Sequence, residues 1–453
     1  MISEKEITDF LNNEYSDAAL YMAYRSLPSY IDGLKNSGRK IVYTIKKKGL
    51  KEKKKVASLG SAVTDEAGYL HGDASIQGAI VTRTQSFCGA NNVPILKEDG
   101  NFGTRLTPIP SASRYIYTKL PTYFNELFPK CDDQNLIRQE FEGDEIEPLF
   151  YVPTIPLGLV NGSEGIGVGF ANLILARNPK NIIKALRIKL NGKKPKRTLF
   201  VPHWNGFQGT VSEVDNCVWE ITGDFSINKK KVTITELPIS WSLSNYTEKI
   251  LKKLKDEGLI EKYLDNSDPK ADTFNFEVTL SSDEAKKSKE KIIKDLGLSE
   301  TITENLTCID ENNAVVEFDD IMDYFNSYYD VKIAYMKKRI KSETARLEQE
   351  AKLLSEKAAF ILEVIKGTIN MKEKKAVVES KMKKKKYTFI DKLISMPMYS
   401  MTKDKVEELL KERDEKLHEL KLFKKETPES LWLKDLDKLE EVLENEGLVT
   451  GDN

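Results

Sequence analysis

Asn101-Phe-Gly-Thr-Arg-Leu-Thr-Pro-Ile-Pro-Ser-Ala-Ser-Arg-Tyr-Ile-Tyr-Thr-Lys-Leu120 is the stretch on which the interpretation of this chain depends. It opens with a glycine turn, continues through Pro108 and Pro110, which disfavour helix, and then places Arg114 directly before Tyr115. A tyrosine hydroxyl is a weak nucleophile unless a neighbour assists it, and a guanidinium can neutralise the charge of a phosphodiester. The residues alone allow two roles for Tyr115, an ordinary packing tyrosine or a nucleophile with a cationic partner.

The composition bounds the class of protein. The chain has 453 residues, of which 40% are hydrophobic and 31% charged, enough for several domains. The sequence has no apolar run long enough to predict a membrane span, and its charged first residues do not resemble a secretory signal. The four cysteines are scattered without a CxxC pair, which favours a reducing, cytoplasmic location over a zinc site or disulfide framework. With three histidines in all, no metal ligands are expected in this chain.

The net charge of −1 means that nucleic-acid binding has to rest on a local basic patch. The segment from Lys46 to Lys55 holds seven lysines and one glutamate and supplies such a patch. An ordinary solvated surface remains the alternative for this segment. A second run, Lys383 to Lys386, lies far along the chain and is interpreted as a solvated turn.

Further motifs accompany the first stretch in a fixed order. They are Arg25-Ser-Leu-Pro28, Asp32-Gly-Leu-Lys35, Arg39-Lys40, Gly68-Tyr-Leu-His71-Gly-Asp73, Gln85 to Asn92, and Val160-Asn-Gly-Ser-Glu-Gly-Ile166. An Asp-Gly turn before a basic helix start suits phosphate contact. The glycines at 165, 167 and 169 lack the GxGxxG spacing and the strand–loop–helix context of a dinucleotide site. The joint order of the motifs is more specific than any one of them.

In this order, from Arg25 to Leu439, the chain resembles the A-type, or breakage-reunion, subunit of type IIA DNA topoisomerases. That family includes the gyrase A subunit, the C-terminal half of the eukaryotic type II enzyme and the corresponding subunit of T-even-like phages. The resemblance implies that Tyr115 attacks DNA and forms a 5′-phosphotyrosyl link, with Arg114 as its partner. Transient double-strand breaks would then allow duplex passage, which relaxes or decatenates DNA.

The same resemblance assigns two more catalytic residues. His71 matches a family histidine that contacts the phosphate near the nucleophile, and Arg39 is expected to reach the scissile phosphate. Leu70 departs from the family pattern and carries no hydrogen-bond donor, so the role of the family's first histidine has no counterpart here. This loss is the feature that favours the alternative of a non-catalytic, dimeric DNA-binding scaffold.

Residues expected to contact DNA follow from the same carry-over. Lys35 and Lys40 are expected to face DNA, and Ser75 lies in a predicted helix, Ala74 to Phe87, which would enter the major groove of DNA. Ile166 matches an isoleucine that inserts between base pairs and bends the duplex, with glycines beside it allowing close backbone approach.

The expected fold class is α+β and multidomain, with a winged-helix domain, an α/β tower, and a long antiparallel coiled coil that ends in a small helical dimerisation gate. The expected domains are 1–24, an N-terminal helical arm that a capping box of Ser3 and Glu6 begins; 25–150, the winged-helix domain with Tyr115; 151–330, the tower; 331–366, the outgoing helix; 367–400, the dimerisation gate; and 401–453, the return helix and a C-terminal helix.

Periodicity supports parts of this plan. Within the tower, alternation predicts strands at 232–238 and 274–280, and a helix is predicted at 244–259. A heptad stripe then predicts a coiled coil: Ile333, Ile340, Leu347, Leu354 and Ile361, with Thr344, Ala351, Ala358 and Ile365 between them. Thr402 is expected to cap a return helix that carries Val406, Leu410, Leu417 and Leu420. An arm of this kind is expected to join two copies through a twofold contact.

The sequence contains no Walker-type loop and no Glu…Asp-x-Asp metal cluster of the kind that the ATP-binding module of this family carries. The resemblance therefore implies that a partner ATPase/Toprim (B-type) subunit binds both ATP and Mg²⁺, with double-stranded DNA and a second copy of the chain as the other partners. A heterotetramer is expected, in the cytoplasm or, for a viral protein, in the host cytoplasm or nucleoid. No gyrase-like wrapping domain follows the predicted coiled coil, which favours relaxation or decatenation over supercoiling. A tyrosine recombinase is a further alternative, but no His-x-x-Arg box is found and the heptads would be unexplained.

Overall fold

The computed structural model describes residues 7–50 and 52–449, so the proposed capping box of Ser3 and Glu6 lies outside the described residues. The described chain has a mixed α/β fold and divides into two compact units. The first runs to Lys130, continues through Leu136–Lys332 and resumes at Leu433, and the second consists of Cys131–Asn135 and Ile333–Trp432.

The first unit contains most of the helices, several of them single turns. In chain order they are Ile7–Phe10, Leu11–Tyr15 and Ser16–Ser26, which form one helix with a π-helical turn, then Asn36–Lys48, Val56–Ala67, Asp73–Thr84, Phe124–Leu127, Leu157–Asn161, Pro179–Leu190, Arg197–Phe200, Leu243–Tyr246, Thr247–Lys252, Lys253–Asp256, Glu284–Lys286, Lys289–Asp295 and most of Pro428–Asn445.

The strands of this unit pair antiparallel in small sheets. One sheet has the order Lys54–Lys55, Tyr117–Lys119, Lys97–Asp99; a second has Phe225–Asn228, Lys231–Ile234, Phe276–Leu280, Ile260–Asp265; a third has Ser299–Thr303, Val218–Thr222, Thr210–Asp215; and three pairs are Leu306–Ile309 with Val315–Phe318, Glu140–Phe141 with Asp144–Glu145, and Ser163–Ile166 with Ala171–Ile174.

The stretch quoted first lies in a cluster of three helices and the first small sheet. The helices Asn36–Lys48, Val56–Ala67 and Asp73–Thr84 contact one another, and Tyr117–Lys119 is the central strand of the sheet. Ile116 and Thr118 are buried, while the side chain of Tyr115 is exposed. Tyr115 ends a tight turn in which its amide donates to the Ala112 carbonyl at 2.8 Å, and this turn leaves its side chain outside while Ile116 enters the core.

The second sheet of the first unit confirms the strand predictions for this region. Lys231–Ile234 overlaps the predicted strand 232–238, and Phe276–Leu280 falls within 274–280. The predicted helix is also present, as a continuous run from Leu243 to Asp256 that ends before Gly258. The inward residues of the sheet and this helix form one apolar core, with Ile234, Tyr246, Phe276 and Leu280 fully buried.

The long helix Ile321–Ile365 begins well before the predicted boundary at residue 331. Its first turns carry Tyr324, Phe325 and Tyr328, all completely buried, and the Lys332 ammonium donates a hydrogen bond to a backbone carbonyl at 2.9 Å. Because these turns are buried on several sides, they show no heptad stripe, and the sequence pattern did not reveal them.

In the second unit the long helix packs against the return helix Lys403–Phe423. Ala358 and Ile361 are buried against Val406 and Leu409. Ion pairs join Lys416 to Glu350 and Lys424 to Glu348, so later residues of one helix meet earlier residues of the other and the two run antiparallel. The Thr402 side chain accepts a hydrogen bond from the Lys405 amide, as the capping prediction requires. Ile365, the last member of the predicted stripe, is exposed.

The segment between these helices forms a small apolar knob. Its helices are Lys375–Lys384, Ile390–Ile394 and the short turn Met398–Ser400, and a further short helix of this unit is Lys130–Asn135. Phe360, Ile369, Val378, Met382 and Leu393 make up the core of the knob. The lysines from 383 to 386 are exposed at the end of the first helix, which fits their interpretation as a solvated turn.

Candidate active site

Tyr115 is accessible to solvent. Its side chain is 70% exposed, and the Arg114 guanidinium lies 5.7 Å from the centre of its ring. The Tyr115 hydroxyl has no hydrogen-bond partner among residues 7–50 and 52–449. An oxygen that is free of internal hydrogen bonds and has a cation beside it can reach a substrate phosphate without first breaking a contact within the protein.

The loop before Tyr115 has a fixed shape. Gly103 has φ +93°, and a Cβ atom there would lie 2.8 Å from backbone atoms of Pro108, so only glycine fits without a shift. The Gly103 amide donates to the Asn101 side chain at 3.0 Å, and the Gln85 side-chain amide donates to the Phe102 carbonyl at 2.8 Å. The glycine turn noted in the sequence is therefore a close backbone approach rather than a flexible hinge.

Arg105 fastens the same loop to the segment that follows the Lys231–Ile234 strand. Its buried guanidinium donates to the carbonyls of Leu237, Pro238, Ile239 and Trp241. In return, the amides of Arg105 and Leu106 donate to the Asp272 carboxylate at 2.8 and 3.0 Å. Sequence reasoning missed this arrangement, although an arginine within the central stretch was a signal that could have prompted the question.

His71 lies among aromatic and basic side chains. Its Nε2 is 3.3 Å from the Tyr21 hydroxyl, and its ring meets Tyr69 edge to face at 5.3 Å. Burial, and after it the charges of Arg25 and Lys40, hold the pKa of His71 below its ordinary value. The described structure shows no contact between His71 and Tyr115. Arg25, to which the sequence analysis gave no role, is the cation that acts most strongly on this histidine.

Arg39 and Lys40, which were expected to face DNA, are buried in this structure. Arg39 is 1% exposed, and its guanidinium donates to the Asp32 carboxylate at 2.9 Å and to the Leu34 carbonyl at 2.8 Å. Lys40 is also buried and donates to the Glu147 carboxylate at 2.9 Å. Each is paired with an acid, Arg39 with Asp32 from the turn just before its helix and Lys40 with an acid distant in sequence, and their contact with a phosphate stays a prediction.

Lys35 and Ser75 are the remaining predicted polar contacts. Lys35 is half-buried at the start of the Asn36–Lys48 helix, and its ammonium has no hydrogen bond or ion pair in the described structure. Ser75 is exposed in the first turn of the Asp73–Thr84 helix, the helix predicted at 74–87. Both side chains line the same cavity, which is described below.

Ile166 lies at the end of an exposed β-hairpin. Ser163–Ile166 pairs with Ala171–Ile174, and the Ile166 side chain is 78% exposed. A Cβ atom on Gly165 would lie 2.2 Å from the Ser26 carbonyl oxygen, so the hairpin backbone packs directly on the segment that carries Arg25. An apolar side chain held out in this way has the geometry of a wedge.

The basic segment from Lys46 to Lys55 is partly neutralised. Lys47 and Lys48 share the Glu66 carboxylate at 3.2 and 2.8 Å, and Lys53 pairs with Asp99 at 3.2 Å. Lys51 lies outside the described residues. The paired lysines stay charged and partly exposed, but each has an acid beside it, and exposed pairs of this kind are weak and screened by salt.

Neither a metal cluster nor a membrane helix is found in the described part of the chain. No three His, Cys, Asp or Glu side chains within residues 7–50 and 52–449 are grouped so that they could hold a metal ion. No helix in that part is long and apolar enough to cross a membrane.

Residues 25–437 match the family model for the A subunit of DNA gyrase/topoisomerase IV. The mitochondrial DNA topoisomerase 2 of Dictyostelium discoideum is 31% identical over 462 residues, which cover 98% of this chain and 36% of that protein. DNA topoisomerase 2 of Drosophila melanogaster is 32% identical, over 97% of this chain and 35% of that protein. The chain thus spans about a third of the length of these relatives.

A solved structure agrees with these sequence matches. The Plasmodium falciparum topoisomerase II DNA-binding, cleavage and re-ligation domain superimposes with a TM-score of 0.88 at 32% identity. The match covers 97% of this chain and 65% of that chain. The likeness therefore extends through both compact units of the chain, each of which lies largely within the matched part.

Proposed function

The chain belongs to the family of the DNA gyrase/topoisomerase IV A subunit, and from that premise we propose that it is the DNA-cleaving and religating part of an ATP-dependent type IIA topoisomerase. The observation that carries the proposal is the exposed Tyr115 with the Arg114 guanidinium across its ring. The relatives and the solved structure, named for topoisomerases and for DNA cleavage and re-ligation, support it.

The proposed reaction is a reversible transesterification. The Tyr115 oxygen attacks a DNA phosphorus in line and loses its proton, while the bond from phosphorus to the 3′ oxygen breaks and that oxygen takes up a proton. The product is a 5′-phosphotyrosyl bond and a free 3′ hydroxyl. Because one phosphoester replaces another, resealing needs no external energy source.

The cationic residues would act on the charge of this phosphate. Arg114, beside the nucleophile, would stabilise the negative oxygens that develop during attack. His71 would donate a hydrogen bond from its ring nitrogen to an oxygen of this phosphate. We propose a supporting role for Arg25 through its effect on His71, and an internal, fold-maintaining role for Arg39 and Lys40 in place of phosphate contact.

ATP and Mg²⁺ are assigned to an ATPase/Toprim (B-type) partner. The described residues offer no cluster of three His, Cys, Asp or Glu side chains that could hold Mg²⁺. When bound by the partner, Mg²⁺ would stabilise the attacking and leaving oxygens. The proposed complex contains two copies of each chain on double-stranded DNA, in the cytoplasm or in a host cytoplasm or nucleoid.

Two tyrosines are needed to cut both strands, so a homodimer is part of the proposal. We assign 25–150 to a winged-helix domain, 151–330 to a tower, and the antiparallel helices to a coiled coil that holds the 367–400 knob as a dimerisation gate. At the end of the knob Met398 and Tyr399 are 63% and 86% exposed, an apolar surface that a second copy could cover. Sedimentation of the free chain should show a dimer, and Tyr399→Glu should weaken it.

The decisive experiment detects the covalent bond. The chain is mixed with a B-type partner, Mg²⁺ and double-stranded DNA, and the reaction is stopped with a denaturant. The proposal predicts that each 5′ end of the cut DNA carries this chain. A DNA-binding scaffold, the alternative, would bind the same duplex as tightly and leave it uncut, and that result would replace the proposed function.

A further inference from the structure

A cavity of about 850 Å³ in the first unit is lined by two cationic side chains that form no ion pair with any described residue. Arg83, near the end of the Asp73–Thr84 helix, and Lys35 both line it. Ser75 and Thr82 on the same helix and Ser163 and Glu164 of the Ile166 hairpin contribute to the polar part of the wall.

Arg83, like Arg39 and Arg105, has a shielded guanidinium nitrogen without a hydrogen-bond partner, but those two arginines form ion pairs. Its Nε is shielded from solvent and has no hydrogen-bond partner, and no ion pair of its guanidinium occurs in the described structure. Burial lowers the pKa of Arg83, and the acid whose charge opposes that effect, Asp32, is already bound to Arg39. At Gly38 a Cβ atom would lie 3.3 Å from Nε, so the absence of a side chain there leaves room for the guanidinium.

Lys35 brings a second charge to the same place. Burial lowers its pKa, and the positive charge of Arg83 lowers it further, while Glu164 acts in the opposite direction from beyond ion-pair distance. Two shielded cations that repel each other cost stability unless an anion lies between them. The free chain therefore keeps an unfavourable arrangement that binding of an anion would relieve.

We propose that Arg83 and Lys35 bind one phosphate group in this cavity and that, when DNA is bound, a backbone phosphate occupies it. The planar fork of an arginine beside the point charge of a lysine suits a phosphate oxyanion. The choice of DNA rests on the proposed function and on the wall of the cavity, since Ser75 and the Ile166 hairpin belong to the surface proposed to face the duplex. This contact would bind the duplex next to the bend that Ile166 is proposed to cause.

The test uses Arg83→Met in the full chain, because methionine has a similar length and no charge. The dependence of duplex affinity on salt, measured by fluorescence anisotropy, should lose about 0.9 from its logarithmic slope, the value for one phosphate contact on B-DNA. The DNA-free variant should melt at a higher temperature than the wild type, because an unpaired shielded charge has been removed. Arg83→Lys should keep most of the slope.

Arg413→Met is the matched control, since Arg413 lies in the second unit and already pairs with Asp414, so it should leave the slope unchanged. A purely structural Arg83 would behave in the opposite way: Arg83→Met would melt earlier and keep the wild-type slope, and that result overturns the proposal. Inorganic phosphate provides a further arm. One outcome would be that phosphate raises the melting temperature of the wild type and not of Arg83→Met, while the wild type and the variant show the same salt dependence of duplex affinity. In that case the occupant is free phosphate and the DNA assignment is wrong.

The site and the proposed function fail separately. If the wild type forms covalent 5′ adducts but Arg83→Met retains its slope, only the phosphate site is wrong. If the slope falls as expected but no adduct forms in the wild type, the site stands and the catalytic proposal is wrong.

Discussion

Arg39 and Arg114 are arginines from two of the motifs, but they differ in burial and in ion pairing. Arg39 is enclosed, with its guanidinium bound to Asp32 and a carbonyl, whereas Arg114 is exposed above the Tyr115 ring. The first charge is used inside the fold, and the second is available to a ligand. What separates them is the position of an acid that lies close to one and not to the other.

The same contrast divides the other cations of the first unit. Lys40 is neutralised by Glu147, an acid distant in sequence, while Lys35 has no such partner in the described structure. A buried ion pair holds two segments together, and removing one partner leaves the other charge uncompensated in the protein interior. We therefore expect the enclosed cations to affect stability and the open ones to affect binding and cleavage.

The largest effect should come from Tyr115→Phe, which removes the attacking oxygen and nothing else. Covalent attachment to DNA should be lost completely, while duplex binding is retained, because the ring still packs beside Arg114. Tyr117→Phe is the matched control, since Tyr117 is a neighbouring tyrosine in the adjoining strand. If adducts survive in Tyr115→Phe and disappear in Tyr117→Phe, the nucleophile is Tyr117 and not Tyr115.

Arg39→Ala should have the next largest effect, and it should be on folding. Removing one partner of a buried pair leaves Asp32 uncompensated and should lower the free energy of unfolding by about 3–5 kcal/mol, measured by denaturant titration. Replacing both Arg39 and Asp32 with apolar residues should recover part of that loss. If Arg39→Ala instead unfolds normally and fails only in cleavage, Arg39 contacts the phosphate after all, and the division between enclosed and open cations is wrong.

Arg114→Ala and His71→Ala test the open side of the comparison. Each should slow cleavage by about a hundredfold, the scale for losing one preorganised donor, with a much smaller loss of DNA affinity. Their unfolding free energies should stay near that of the wild type, because neither residue takes part in a buried ion pair. A His71→Ala variant that cleaves at the normal rate would show that the changed context at Leu70 removed this histidine from the reaction.

Much of this architecture could be predicted from the sequence, because periodic burial leaves a pattern. The strands at Lys231–Ile234 and Phe276–Leu280 and the return helix from Lys403 were found from alternation and from a capping threonine. The first turns of the long helix were missed, since burial on several sides erases the stripe. Motif order likewise brought attention to Tyr115 and Ile166, both of which prove to be exposed.

Charge compensation could not be predicted in the same way. Whether Arg39 is free depends on where Asp32 lies after folding, and the partner of Lys40 is Glu147, far along the chain. Arg105 shows the same limit, because its partners are backbone carbonyls of another segment, and carbonyls have no sequence signature. A linear motif gives the type of a side chain, whereas its function depends on neighbours that only the fold brings together.

The smallest expected effect concerns the pKa of His71. Burial lowers it most, and the charges of Arg25 and Lys40 lower it further, so Arg25→Met should raise it toward the ordinary value near 6.5. Since the chain has three histidines, an NMR titration can follow each ring, and His71→Gln would assign the signal. His203 is an internal control. Burial lowers its pKa too, a hydrogen bond with Asn205 acts against that shift, and Arg25 is not among the causes, so Arg25→Met should leave it unchanged.

The sign of the linked stability change follows from these directions. A histidine whose pKa is depressed by folding binds fewer protons in the folded state, so its contribution is complete above about pH 6.5 and is lost as the pH falls toward the folded value. Arg25→Met should raise the pKa of His71 in the folded state and so bring it closer to the pKa in the unfolded state. The free energy of unfolding should then fall less between about pH 7.5 and pH 5.5 than in the wild type. A His71 titration that does not move in Arg25→Met would mean that burial alone sets its pKa. Arg25 would then act on the phosphate directly or not at all.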